Sequence, residues 1–164
     1  MKLFFSLLFY SCIVLACGSS GERDTGSAPF PKRVGSVNDY GDIFTAGEEQ
    51  VLDSLIKDAR AGTSVEIAVV TLDSSMASLD EFNSYTLRLN NEWEIGGTER
   101  KGILIGISAP LQRVRINRGL GIGKNLSDTH TKNIMDTFMF PELRKGNYFE
   151  GTKLAITEMV GLLQ

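Results

Sequence analysis

Few side chains in this 164-residue chain are of types that do chemistry, and their spacing narrows the choice further. There is one histidine, His130, and the only cysteines are Cys12 and Cys17. Both cysteines fall in the apolar start of the chain, far in sequence from His130. That closes off Cys–His nucleophilic catalysis and multi-His metal sites. A Ser–His–Asp arrangement remains formally open, but nothing marks a nucleophile elbow. His130 reads as an exposed residue in the first turn of a helix. The run Gly119-Leu120-Gly121-Ile122-Gly123-Lys124 invites a phosphate reading, because a glycine-rich loop between strand and helix can cradle an anion with its backbone amides. It fails the P-loop spacing, and Asn125 stands where Ser or Thr is needed. Gly119 and Gly121 are therefore expected to serve a structural loop, with glycine allowing positive φ in a tight turn. Arg100, Lys101, Arg113 and Arg115 could gather into an anion-binding patch; otherwise Arg113, Arg115 and Arg118 form a solvated strand face.

The start of the chain carries a different chemistry. Lys2 precedes an apolar run from Leu3 to Ala16, which is too short for the ~20 residues of a membrane-spanning helix and suits a signal peptide. The run closes Leu15-Ala16-Cys17-Gly18, which resembles the lipobox of bacterial lipoproteins. The expectation is a signal peptide over residues 1–16, cleavage before Cys17, and a diacylglyceryl chain on its sulfur. Residues 17–32 are small and polar and read as a flexible tether. One domain is left, residues 33–164, with no thiol for disulfide or metal. The anchor places it at a membrane of a cell envelope. Gly18 lacks the Asp that would retain a lipoprotein at the inner membrane, so a double-membrane bacterium would carry it at the outer one. With 17 Lys and Arg against 20 Asp and Glu, net −3, there is no basic excess to suggest nucleic acid.

The elements that must position these residues follow from patterning. Thr45-Ala46-Gly47-Glu48 is a capping box. Val51, Leu52, Leu55, Ile56 and Ala59 then make a helical face, with Gly62 ending the helix. Val65 to Thr71 is a β-branched run suited to a strand buried on both faces. Ser78 to Glu81 repeats the capping logic before a helix that turns Phe82, Tyr85, Leu89 and Trp93 inward. Gly96-Gly97 breaks the chain ahead of a second buried strand, Gly102 to Ser108. Strand, helix, strand predicts a parallel pair with a right-handed crossover. Arg113 to Arg118 alternates as an antiparallel partner, Val114 and Ile116 one way, Arg113, Arg115 and Asn117 the other. Ser127 or Asp128 can cap a third helix, interrupted by Pro141. Tyr148 to Leu163 is the last helix. The pattern predicts a three-layer α/β sandwich, a small mixed sheet with helices on both faces.

In order, Val37-Asn38-Asp39-Tyr40, Val65 to Thr71, Trp93-Glu94-Ile95-Gly96, Gly102-Ile103-Leu104-Ile105, Arg113 to Ile116, Gly119 to Ile122, Leu126-Ser127-Asp128, Pro141-Glu142-Leu143 and Gly146-Asn147-Tyr148 form a series that resembles the TPM domain. The resemblance covers Val37 to about Leu163. It implies an α/β sandwich. Some members bind divalent cations at an acidic pocket, and acid phosphatase activity is attributed to a plant member. Asp39 and Asp128 match the family's acidic positions, implying a site for Ca²⁺ or Mg²⁺, which take several oxygen ligands. The usual Asp-Asn-Gly before the second strand is here Arg100-Lys101-Gly102. The usual Gly-Tyr-Gly-(Leu/Ile)-Glu is Gly119 to Gly123, with Leu120 for the Tyr and Gly123 for the Glu. Those departures remove oxygen ligands and add positive charge. The function expected is therefore a lipid-anchored accessory or binding module acting on a neighbouring envelope protein, with any cation held weakly and no catalytic residue assigned. The alternative is a metal-dependent acid phosphatase, by family analogy.

Overall fold

The computed structural model describes residues 30–164. The signal peptide, Cys17 and most of the expected tether lie outside them. A short first strand, β1 (Val37–Asp39), leads to α1 (Ala46–Thr63), β2 (Glu66–Thr71), α2 (Phe82–Glu92), β3 (Gly102–Ser108) and β4 (Arg113–Arg118). The sheet order is β1-β2-β3-β4, with β1, β2 and β3 parallel and β4 antiparallel to β3. Three further helices follow: α3 (Asp128–Ile134), the single turn α4 (Phe140–Leu143) and α5 (Tyr148–Leu163).

Local chemistry explains most boundaries. Thr45 caps α1 through its side chain, and Glu48 returns the bond to the Thr45 backbone, the reciprocal pair that satisfies two orphan amides. The helix passes through Gly62 and ends at Ser64, which takes the left-handed conformation there. Val51, expected inward, is exposed; Leu52, Ile56 and Ala59 are the buried positions. Ser78 and Glu81 pair across the turn that opens α2. Ser127, not Asp128, caps α3. The expected break at Pro141 takes the form of a wide π-helical turn over Met135–Met139. Pro141 follows directly in α4; with no N–H it cannot donate to the preceding turn, in keeping with the irregular hydrogen bonding there.

The sandwich has two cores. One face of the sheet, with Ile67, Val69, Ile103, Ile105, Ile107, Val114 and Ile116, packs on α1, α5 and the α3 region. The other, with Ala68, Val70 and Leu104, packs on α2 through Phe82, Tyr85 and Leu89. Gly106 lets α2 approach, since a Cβ there would press into Thr86. The crossovers β1-α1-β2 and β2-α2-β3 step the same way across the sheet but use opposite faces. They are therefore of opposite hand, and only one obeys the right-handed rule expected from sequence.

Residues 30–32, assigned to the tether by composition, are docked on the domain. The Phe30 ring stacks at a tilt on Tyr85, 5.2 Å between centroids, with the Arg88 guanidinium over its face. Trp93 Nε1 donates to the Pro31 carbonyl at 2.9 Å, and the Tyr40 hydroxyl donates to that of Lys32 at 2.7 Å.

Candidate functional site

At the end of the sheet where β2 and β3 begin and β4 finishes, three stretches of backbone lie against one another with almost no side chain between them. Gly119 N donates to Gly102 O at 2.7 Å and Gly121 N to Arg100 O at 3.0 Å, extending the β3–β4 ladder into the loop. A Cβ on Gly119 would overlap the Arg100 carbonyl, and one on Gly121 the carbonyl of Glu99. Gly96 and Gly102 face each other under the same restriction. The glycines at 119 and 121 thus permit close backbone approach. The positive φ expected of this loop occurs at Gly123. Glu66 locks the underside: its carboxylate accepts from the Arg33 guanidinium at 2.6 Å and from Gly96 N at 2.9 Å. Burial pushes its carboxyl up, but those two donors outweigh it and hold the group below its ordinary value.

Above this platform lies a cleft of about 540 Å³, between the end of α2 and the loop after β4. Its walls include Leu87, Asn90, Thr98, Arg100, Arg118 and Leu120. Leu120 is 73% exposed and Leu87 50%. Arg118 reaches out to Asp128, with Nη2 and Nε donating to one carboxylate oxygen at 3.0 and 3.1 Å. Arg100 has no ion-pair partner among the described residues and sits in the left-handed conformation at φ 54°. Asn90 is only 7% exposed, and its Oδ1 has no hydrogen-bond donor.

The sequence-selected residues scatter. Asp39 stands at the opposite end of the sheet, where β1, β2 and β3 finish. Its carboxylate accepts from Ile43 N at 3.2 Å, Phe44 N at 2.8 Å and the Thr71 hydroxyl. Asp128 is 93% exposed and engaged with Arg118. From the register, Asp39 is level with Ile107 and Arg118 with Ile103, so their backbones are separated by ~13 Å along the strands and by three strand spacings of ~4.8 Å across them. A hard cation needs several oxygens on one point. These two carboxylates do not converge, and no group of three or more His, Cys, Asp or Glu side chains arranged to hold a metal occurs among the described residues.

The expected cationic patch divides as well. Arg100 and Lys101 flank the glycine platform, and Lys101 pairs with Glu99 at 2.8 Å. Arg113 and Arg115 lie towards the other end of β4, level with Ser108 and Gly106. Asn117, placed with them on a polar face, is buried beneath the α2 side. His130 is a capping residue: its Nδ1 accepts from Ser127 N at 3.2 Å. Sequence reasoning passed over Asn90 and Leu87. The available signal was Thr86 and Asn90, four residues apart beside the apolar stripe Phe82-Tyr85-Leu89, which widens that stripe enough to bury both.

The sequence matches the family model of the TPM domain over residues 37–162. Among curated proteins, none matches. Among solved structures, the N-terminal domain of a P. gingivalis protein is similar at 29% identity and TM-score 0.70, over 77% of this chain and 80% of that one. The BA42 protein of the psychrophilic bacterium Bizionia argentinensis shares the fold at 21% identity and TM-score 0.64, over 76% and 83%. So does the N-terminal domain of the cg2496 protein of Corynebacterium glutamicum, at 14% identity and TM-score 0.61, over 84% and 86%.

Proposed function

This chain belongs to the TPM-domain family, and from that premise we propose that it is a binding module of a cell envelope, tethered by a lipid on Cys17 and engaging a neighbouring envelope protein through the cleft beside α2. The observation that carries the reading is the pair of exposed leucines, Leu87 and Leu120, on the rim of a polar cleft that also holds an unpaired guanidinium. Exposed apolar side chains framed by polar groups suit a protein partner. The entry of the chain is compatible with a tether. Phe30, Pro31 and Lys32 run along the flank of α2 that carries Tyr85, Arg88 and Trp93. Leu87, Asn90 and Glu94 form the other flank, so a membrane attachment leading into Phe30 leaves the cleft open.

The test is a photo-crosslinking residue placed at position 120 in cells, with position 51 on α1 as control. A discrete adduct with one envelope protein from position 120, and none from 51, is expected. No adduct at 120 would remove the reading. Cys17→Ala is expected to abolish labelling by a fatty acid; unchanged labelling would remove the anchor. The phosphatase alternative meets its own assay. A chromogenic phosphate ester with Mg²⁺, Ca²⁺ or Mn²⁺, from acidic to neutral pH, is expected to show negligible turnover. Turnover that vanishes in both Asp39→Asn and Asp128→Asn would replace the binding module with the enzyme.

A further inference from the structure

We infer that the groove between α2 and β1 is a recognition groove for an extended, proline-containing peptide segment, and that the chain fills it with its own residues 30–32 as a releasable strap. On this face of the sheet α2 lies over β3 and β4. A helix ~10 Å wide does not cover four strands spaced ~4.8 Å apart. The β1–β2 half is left to Phe30, Tyr40 and Trp93, which pack against the cluster that holds Tyr85.

Side chains alone hold the strap. Trp93 Nε1 and the Tyr40 hydroxyl donate to two consecutive carbonyls, those of Pro31 and Lys32. The Phe30 ring lies against Tyr85 and the Arg88 guanidinium, and Arg33 reaches Glu66. Asn38, buried on β1, accepts from Val34 N and Gly35 N and donates to the Gly35 carbonyl. Among the described residues no backbone–backbone hydrogen bond joins residues 30–35 to the rest of the domain. Aromatic donors that read the carbonyls of an extended segment, beside a slot for one ring, are the means by which aromatic-lined grooves take polyproline-type ligands. Pro31 fixes its own φ and restrains Phe30 to extended backbone, so docking orders little that was free. A segment in a sheet ladder leaves only by breaking the ladder; this one leaves with β1 undisturbed. One consequence rests on the lipid-anchor reading: the docked strap fixes where the tether leaves the domain, and release adds residues 30–35 to it. Fatty-acid labelling at Cys17 tests that anchor, and the groove is tested without it.

Trp93 is the only tryptophan of the chain, so its emission reports the strap directly. In the full chain, Phe30→Ser combined with Pro31→Gly should release the strap and move Trp93 emission to longer wavelength, with the thermal midpoint within a few degrees of the parent. A capped Ala-Pro-Phe-Pro-Lys-Arg-Val peptide at millimolar concentration, the order of the effective concentration of a covalently linked segment, should reverse the shift. It should leave the parent unchanged, because the same groove is already filled. A peptide with glycine for both prolines and serine for the phenylalanine should reverse nothing. Unshifted emission in the variant, no reversal by the first peptide, or equal reversal by the second overturns the inference. Tyr40→Phe supplies an independent arm, since it keeps the ring and removes one donor. Trypsin cleavage after Lys32 and Arg33 should then run about 3- to 10-fold faster under native conditions, the worth of one neutral hydrogen bond. An unchanged rate would make the strap a fixed part of the fold and overturn its release.

Discussion

The two ends of the sheet are built on opposite terms. Where β1, β2 and β3 finish, Asp39 holds the following loop, and its two oxygens take donors from Ile43, Phe44 and Thr71. Gly41 N adds a bond to the Thr71 hydroxyl at 2.8 Å. That is the end at which open parallel sheets usually receive ligands, and here the Asp39 carboxylate and the Thr71 hydroxyl are taken up by each other and by the loop. At the other end the backbone packs on itself through glycines, which leaves no side chains to fill the space above. The cleft opens there, with the unpaired Arg100 in its lining. A carboxylate in a suggestive position is thus a loop clamp, while an asparagine and a leucine with no catalytic reputation frame the open site.

The contrast can be broken most sharply at the glycines. Gly119→Ala places a methyl group inside the Arg100 carbonyl and should cost roughly 3 kcal/mol or more in denaturant unfolding, because backbone on both sides cannot yield. Gly47→Ala, inside α1 where a Cβ meets nothing, is the companion and should hold or slightly raise stability. If both behave alike, the platform is not backbone on backbone. Next comes Asp39→Ala, which strips a charged acceptor from two amides and a hydroxyl and should cost about 2–3 kcal/mol. The loss should be the same with Ca²⁺ or with a chelator; a loss seen only with Ca²⁺ would turn the clamp into a metal ligand.

A smaller effect tests the underside of the platform by pH. The folded-state pKa of Glu66 lies below its ordinary 4.5, because Arg33 and Gly96 prevail over burial. Its contribution is therefore complete above about pH 4.5 and is lost as pH falls through the folded value. Glu66→Gln should flatten the stability profile in that acidic window; an unaltered profile would release Glu66 from this role. The smallest change in stability is expected for Asp128→Ala, within ~0.5 kcal/mol, because the carboxylate is 93% exposed and well screened. A loss well beyond that in denaturant unfolding would show that Asp128 does more than pair with Arg118.

Much of the architecture was legible in the sequence. The capping box at Thr45, the β-branched runs of β2 and β3, and the alternation of β4 are local signals, written in side-chain periodicity and hydrogen-bonding groups three or four residues apart. They fix the element types, and the turn between β3 and β4 fixes an antiparallel pair. The importance of Gly119 and Gly121 was also legible, though its cause was not: positive φ is a property of one residue, whereas close approach depends on which backbone arrives from elsewhere. Only the tertiary structure sent α1 and α2 to opposite faces with crossovers of opposite hand. It also set Asp39 and Asp128 at opposite ends of the sheet, divided Arg100 from Arg113, and buried Asn90 without a donor. Each of these is a meeting, or a failure to meet, between residues far apart in the chain. Sequence patterns specify what a residue offers; long-range packing decides what it faces.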